Sequence, residues 1–122
     1  MNTLNTARIE ELGKLAAVKH LEKKGYEILE ENWSTKEGTI DFIAEDEDVL
    51  AFIKVIASNK YIPIHESLVR ISSESFASLL EEYKTNHDIG DKATTFDLIE
   101  VLGVCEDYAF LRYHGYALRM DE

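Results

Sequence analysis

Two short histidine–acid pairs, His65-Glu66 and His87-Asp88, carry side chains of the kinds that bind transition metals. They fall in separate stretches that read as loops, and surface histidines outnumber ligands, so solvated side chains are the expectation. Cys105 is the only cysteine and can form neither an internal disulfide nor a zinc ribbon. Glu106 and Asp107 follow it and their negative potential disfavours the thiolate, which leaves Cys105 as a small filler near a turn. Asp97, between Phe96 and Leu98, could serve as an acid, although an outward-facing strand carboxylate is the commoner explanation. Trp33, Tyr26, Tyr61 and Tyr83 could form a base-stacking platform, but such grooves need a basic floor that this sequence does not supply. The run Glu45-Asp46-Glu47-Asp48 reads most simply as a solvated hairpin tip, and otherwise as a docking point for a basic partner.

The elements that would hold these residues can be read from periodicity. Ile9, Leu12, Ala16, Ala17 and Leu21 recur at three- and four-residue steps between charges, which predicts an amphipathic helix over residues 6–24. Asn5 or Thr6 can cap its start, and Gly25 can close its end in the left-handed conformation. Residues 26–33 alternate imperfectly as a half-exposed strand, residues 39–44 form a second, and the acidic run turns into a third at 49–57. That third strand is apolar on both faces, as expected of a central strand covered on both sides. Residues 61–71 hold the only proline, Pro63, and read as a loop with a short extended piece. Ser72 or Ser73 can cap a second helix with Phe76, Leu79, Leu80 and Tyr83 on its apolar stripe. Strands at 94–101 and 108–113 follow, and the tail after Tyr116 is expected to fray.

Length and charge narrow the function. A chain of 122 residues with 45% hydrophobic side chains suits a single domain spanning 1–122. Thirteen basic against twenty-four acidic side chains leave a net charge of −11, which repels polyanions and puts free-standing nucleic-acid binding at a disadvantage. Residues 1–60 carry eight basic and twelve acidic groups and residues 61–122 carry five and twelve, so the second half is the more acidic. Residues 1–10 lack the features of a secretory signal, and the apolar stretch at 49–57 is interrupted by Lys54 and falls short of the roughly twenty residues of a membrane helix. A cytoplasmic protein with no membrane association is the expectation.

Several pieces, in order, resemble a known family. Leu12-Gly13-Lys14, Ala16-Ala17, residues 21–26 (LEKKGY), Ile28-Leu29 and Asn32-Trp33 are similar to the opening of the YraN-type proteins, small bacterial members of the restriction-endonuclease-like, PD-(D/E)XK superfamily. The likeness continues through Gly38-Thr39-Ile40-Asp41-Phe42-Ile43-Ala44 and Phe52-Ile53-Lys54-Val55-Ile56, and returns at residues 96–99 and 114–117. The middle block is its specific part. The resemblance implies an α/β restriction-endonuclease-like core, a central mixed sheet flanked by helices in the order α-β-β-β-α-β-β. It also implies a site in which carboxylates hold a hard divalent cation and a lysine positions the attacking water. The family places a Glu after the helix Gly, an acidic pair ahead of the second strand's core, and Glu-X-Lys on the third strand.

Residue by residue, this chain departs from that set. Lys14 and Thr39 stand where the family has Glu, Asp41 is retained, and Lys54-Val55-Ile56 replaces Glu-X-Lys. By counting residues, the local charge changes from about −3 to about +1, which would repel Mg²⁺. The resemblance therefore implies a dead site with Lys14, Thr39, Asp41, Lys54 and Ile56 as vestigial positions and no cofactor. Lys54 is expected to pair with Asp41 across adjacent strands, which avoids leaving the Asp41 charge uncompensated. The basic segment ahead of the family's second helix is reduced here to Arg70 within residues 68–74.

Two functions compete at this point. One is a catalytically inactive nuclease fold used for protein interaction or regulation, with a basic partner favoured by charge and a homodimer open to it. The other is a Mg²⁺- or Mn²⁺-dependent endonuclease acting on branched or single-stranded DNA, its ligands migrated so that Asp97, Glu37 or Glu10 joins Asp41.

Overall fold

The computed structural model describes residues 4–36, 38–62, 71–115 and the backbone of 118 and 119. Helix α1 spans Thr6–Lys23, and the Asn5 side chain caps it by accepting from the Arg8 N–H at 2.8 Å. The chain then reverses through Gly25 at φ +90°, a conformation that favours glycine, into strand β1, Glu27–Thr35. β2 (Gly38–Glu45), β3 (Val49–Ala57), the two-residue β4 (Ile71–Ser72), α2 (Ser73–Lys84), β5 (Ala93–Leu102), β6 (Phe110–His114) and the two-residue β7 (Leu118–Arg119) follow.

The main sheet has the order β1-β2-β3-β5-β6, with β3 and β5 parallel and the other neighbours antiparallel. β3 is central, as its two apolar faces require. Leu50 and Phe52 join Phe76, Leu79 and Tyr83 of α2 in one core. Ala51 and Ile53 join Ala17 and Leu21 of α1 in the other. The result is the expected three-layer α/β architecture, a five-stranded mixed sheet with one helix on each face. Among the described residues no helix is long and apolar enough to cross a membrane.

Two expectations at the ends of the reading change. β4 and β7 pair in parallel as a second, two-stranded sheet, Ile71 with Leu118 and Ser72 with Arg119, so the tail at 118–119 is ordered rather than frayed. Ser72 also caps α2, its hydroxyl accepting from the Ser75 N–H at 3.1 Å. Residues 63–70, including Pro63, His65 and Glu66, lie outside the described residues.

The approach of α1 to the sheet is set by small side chains. Its buried line is Gly13, Ala17 and Leu21, and a Cβ built on Gly13 would stand 2.5 Å from the Ala57 Cβ. That is far inside van der Waals contact. Gly13→Val is expected to lower the unfolding free energy by about 2–3 kcal/mol through overpacking. Urea denaturation would check this, with Ala57→Gly in the same chain recovering part of the loss.

Candidate functional site

Two of the family-like positions, Lys14 and Asp41, meet where β2 and β3 part. The β2–β3 ladder runs from Glu45↔Leu50 to Phe42↔Ile53 and goes no further. Asp41 is the next residue, and its carboxylate replaces the missing backbone acceptor: Oδ2 takes the Val55 N–H at 2.7 Å. Its other oxygen, Oδ1, lies 3.2 Å from the Lys14 ammonium, which also donates to Asn32 Oδ1 at 2.8 Å. The Asp41 side chain is 9% exposed and that of Lys14 37%.

Asp41 therefore pairs with Lys14 of α1, and not with Lys54. The reason is a slip in the alternation of β2. Phe42 and Ala44 pack on the α1 side, whereas Ile43 and Ile40 both pack on the α2 side. Regular alternation would put Ile40 with Phe42; they take opposite faces instead, with the pairing to β1 unshifted (Trp33 with Ile40, Glu31 with Phe42), and Asp41 turns to α1. Opposite on β1, Asn32 has φ +53° and offers its amide to the same lysine. Lys54 shares the face of Phe52 and Ile56, and its ammonium donates to the Thr39 carbonyl at 3.1 Å. Ile56 packs against the α2-side core. Of the five positions, Lys14 meets Asp41, Lys54 meets the Thr39 backbone, and Ile56 belongs to the hydrocarbon interior.

Asp97 is also corrected. It faces inward at 3% exposure, accepting from Thr95 Oγ1 at 2.6 Å and from the Tyr113 hydroxyl. Burial, then the Asp97 hydrogen bond, raises the Tyr113 phenol well above its ordinary value, so it stays a proton donor to the carboxylate. Lys24 sits 4.3 Å from the Tyr113 ring centroid, and the His20 ring lies 5.7 Å from the same ring. Burial, with Lys24 and Lys23 adding to it, lowers the His20 imidazole and keeps it neutral.

Glu100, which the sequence reading passed over, is 2% exposed and opposite Ile56 in the parallel register. His114 Nε2 lies 3.4 Å and an Arg112 nitrogen 3.8 Å from its Oε1. The available signal was two acids inside the otherwise apolar strand core of residues 96–102.

The remaining candidates have structural partners. His87 stacks on Tyr83 at 4.0 Å and 4°, and its Nε2 lies 3.4 Å from Glu30 Oε2. Tyr83 is 3% exposed and packs edge-on to Trp33 at 5.3 Å, so both belong to the core and not to a stacking platform. The Cys105 thiol donates to the Tyr108 carbonyl at 3.3 Å within its turn. In the acidic run, Asp46 Oδ1 accepts from the N–H groups of Asp48 and Val49, which hold its carboxyl below the usual carboxylate range. Lys92 binds Glu45 Oε1 at 2.9 Å, while Glu47 and Asp48 are exposed. Among the described residues no group of three or more His, Cys, Asp or Glu could hold a metal ion.

The three-layer core and the aspartate at the parting of β2 and β3 define a restriction-endonuclease-like protein. Residues 13–101 match the model of the uncharacterised protein family UPF0102, and the chain belongs to that family, the YraN-type proteins that its middle block resembles. A UPF0102 protein of Campylobacter jejuni, strain 81-176, is 34% identical over 103 residues, covering 81% of this chain and 91% of its own. One from Chloroflexus aurantiacus is 30% identical over 97 residues, 80% of this chain and 78% of its own. Another from Campylobacter hominis is 43% identical over 68 residues, 56% of this chain and 58% of its own.

Proposed function

We propose that this chain is a catalytically inactive nuclease-fold protein that works as a protein-interaction or regulatory module. The Lys14–Asp41 pair carries the reading. A hard divalent cation needs several oxygen ligands close around it. Here one carboxylate stands at the position, with one oxygen taken by an ammonium and the other by the Val55 N–H. Lys54, on the neighbouring strand, adds a second positive charge where the family has a ligand.

The migrated-ligand alternative gains little support. Asp97 is engaged by Thr95 and Tyr113, Glu10 is exposed on α1, and Glu37 lies outside the described residues. The net charge of −11 disfavours nucleic acid and favours a basic protein partner.

Calorimetric titration with Mg²⁺ and Mn²⁺, followed by incubation with branched and single-stranded DNA, tests the proposal. The expected result is no specific heat and no cleavage. Micromolar binding by the unaltered protein, with cleavage abolished by Asp41→Ala, would overturn the reading.

A further inference from the structure

Tyr61, Ile62, Tyr108 and Phe110 are 60%, 77%, 59% and 55% exposed. Single exposed apolar residues are ordinary, but Tyr61, Tyr108 and Phe110 come from two separate segments and meet as one cluster. The Phe110 ring lies 5.5 Å from that of Tyr61 and 6.2 Å from that of Tyr108, both edge to face.

The chain beneath is held in place by backbone bonds. Gly103 donates to the Lys60 carbonyl at 2.8 Å, Val104 to the Ser58 carbonyl at 3.0 Å, and Cys105 to the Tyr108 carbonyl at 3.1 Å. The Tyr61 ring lies closely over Gly103, so that a Cβ there would require the ring to move. The rings are thus presented by a supported surface, which lowers the ordering cost of binding.

Charge says what would cover them. Glu106 and Asp107 directly precede Tyr108 and are exposed. Arg8 Nε and Nη2 already bind the two oxygens of Glu106 at 3.1 and 2.8 Å, so the carboxylate beside the rings that can draw a second cation is that of Asp107. Ring faces attract cations, and adjacent carboxylates strengthen that preference. A second copy of the chain would bring another net −11 to the surface.

We propose that the surface of Tyr61, Tyr108 and Phe110, flanked by Asp107, docks a basic segment of a partner protein through arginine or lysine side chains laid on the rings. This rests on the reading of the chain as an interaction module, and it names the surface and the partner chemistry.

A fluorescent octa-arginine peptide titrated into the full chain at low ionic strength is the probe, with amide chemical shifts locating the contact. Shifts are expected at residues 61–62 and 103–110. The double variant Tyr108→Ser/Phe110→Ser should weaken binding about fivefold or more, from two exposed cation–ring contacts. The control Glu47→Gln/Asp48→Asn, which removes two negative charges at the distant hairpin tip and leaves the rings in place, should change it less than twofold, with circular dichroism showing that both variants fold. Equal weakening by both variants, or none by the first, would overturn the proposal, because diffuse attraction to an acidic surface would then suffice. Sedimentation showing a dimer of the unaltered chain that Phe110→Ser dissolves would overturn it in favour of self-association. The nuclease assay above is read separately: cleavage sinks the parent reading, whereas failure of the peptide with no cleavage sinks only this surface.

Discussion

Asp41→Ala is expected to destabilise the protein by about 2–3 kcal/mol, because the carboxylate supplies a charge-assisted acceptor at the point where the β2–β3 ladder stops. Its loss leaves the Val55 N–H without that acceptor and strips Lys14 of its ionic partner. Asp41→Asn should cost less, since the amide oxygen can still accept from Val55. The sign is the informative part. In a cluster of metal-binding carboxylates, removing one relieves repulsion between like charges and raises the stability of the metal-free protein. Urea titration followed by circular dichroism gives the answer for each variant, and a gain in stability on Asp41→Ala would reveal acids gathered around that position.

Phe52→Ala should cost more, about 3–5 kcal/mol. Phe52 is fully buried on the α2 side, with ring centroids of Tyr83 at 5.3 Å, Phe76 at 6.0 Å and Trp33 at 6.2 Å. The first two meet it edge to face, which adds directional attraction to the burial of area. Alanine would open a cavity that three rings on two other elements cannot close without leaving their own contacts. A small domain is stable by only about 5–15 kcal/mol, so this one side chain accounts for a large share. Thermal unfolding by calorimetry is the direct check. Phe52→Leu, which keeps much of the volume, should recover at least half of the loss.

The architecture was legible because its signals are periodic. The helical spacing of Ile9, Leu12, Ala16, Ala17 and Leu21, closed by Gly25, fixes α1, and the doubly apolar run at 49–57 identifies β3 as the central strand. The two-residue strands β4 and β7 carry no such period; their pairing is a property of the folded molecule. Within the site, residue types told which positions had changed, but geometry chose the partners. The expectation that Lys54 meets Asp41 followed from perfect alternation. The break in alternation between Ile40 and Phe42 moves the carboxylate to the other face and hands it to Lys14. Asp97 misled for a related reason: an acid on a strand looks solvent-facing until a tyrosine on the adjacent strand, Tyr113, is seen to bind it inside.

The hydrogen bond from Val55 to Asp41 has an implication for how such proteins are sorted. An aspartate that stitches two diverging strands is useful to folding whether or not any phosphodiester is ever cut. Counting that letter as a vestige of enzymology will overstate how many bearers of this architecture are enzymes. The letter following the helix glycine bears directly on that aspartate, because here it is a lysine whose ammonium stands 3.2 Å from the Asp41 carboxylate.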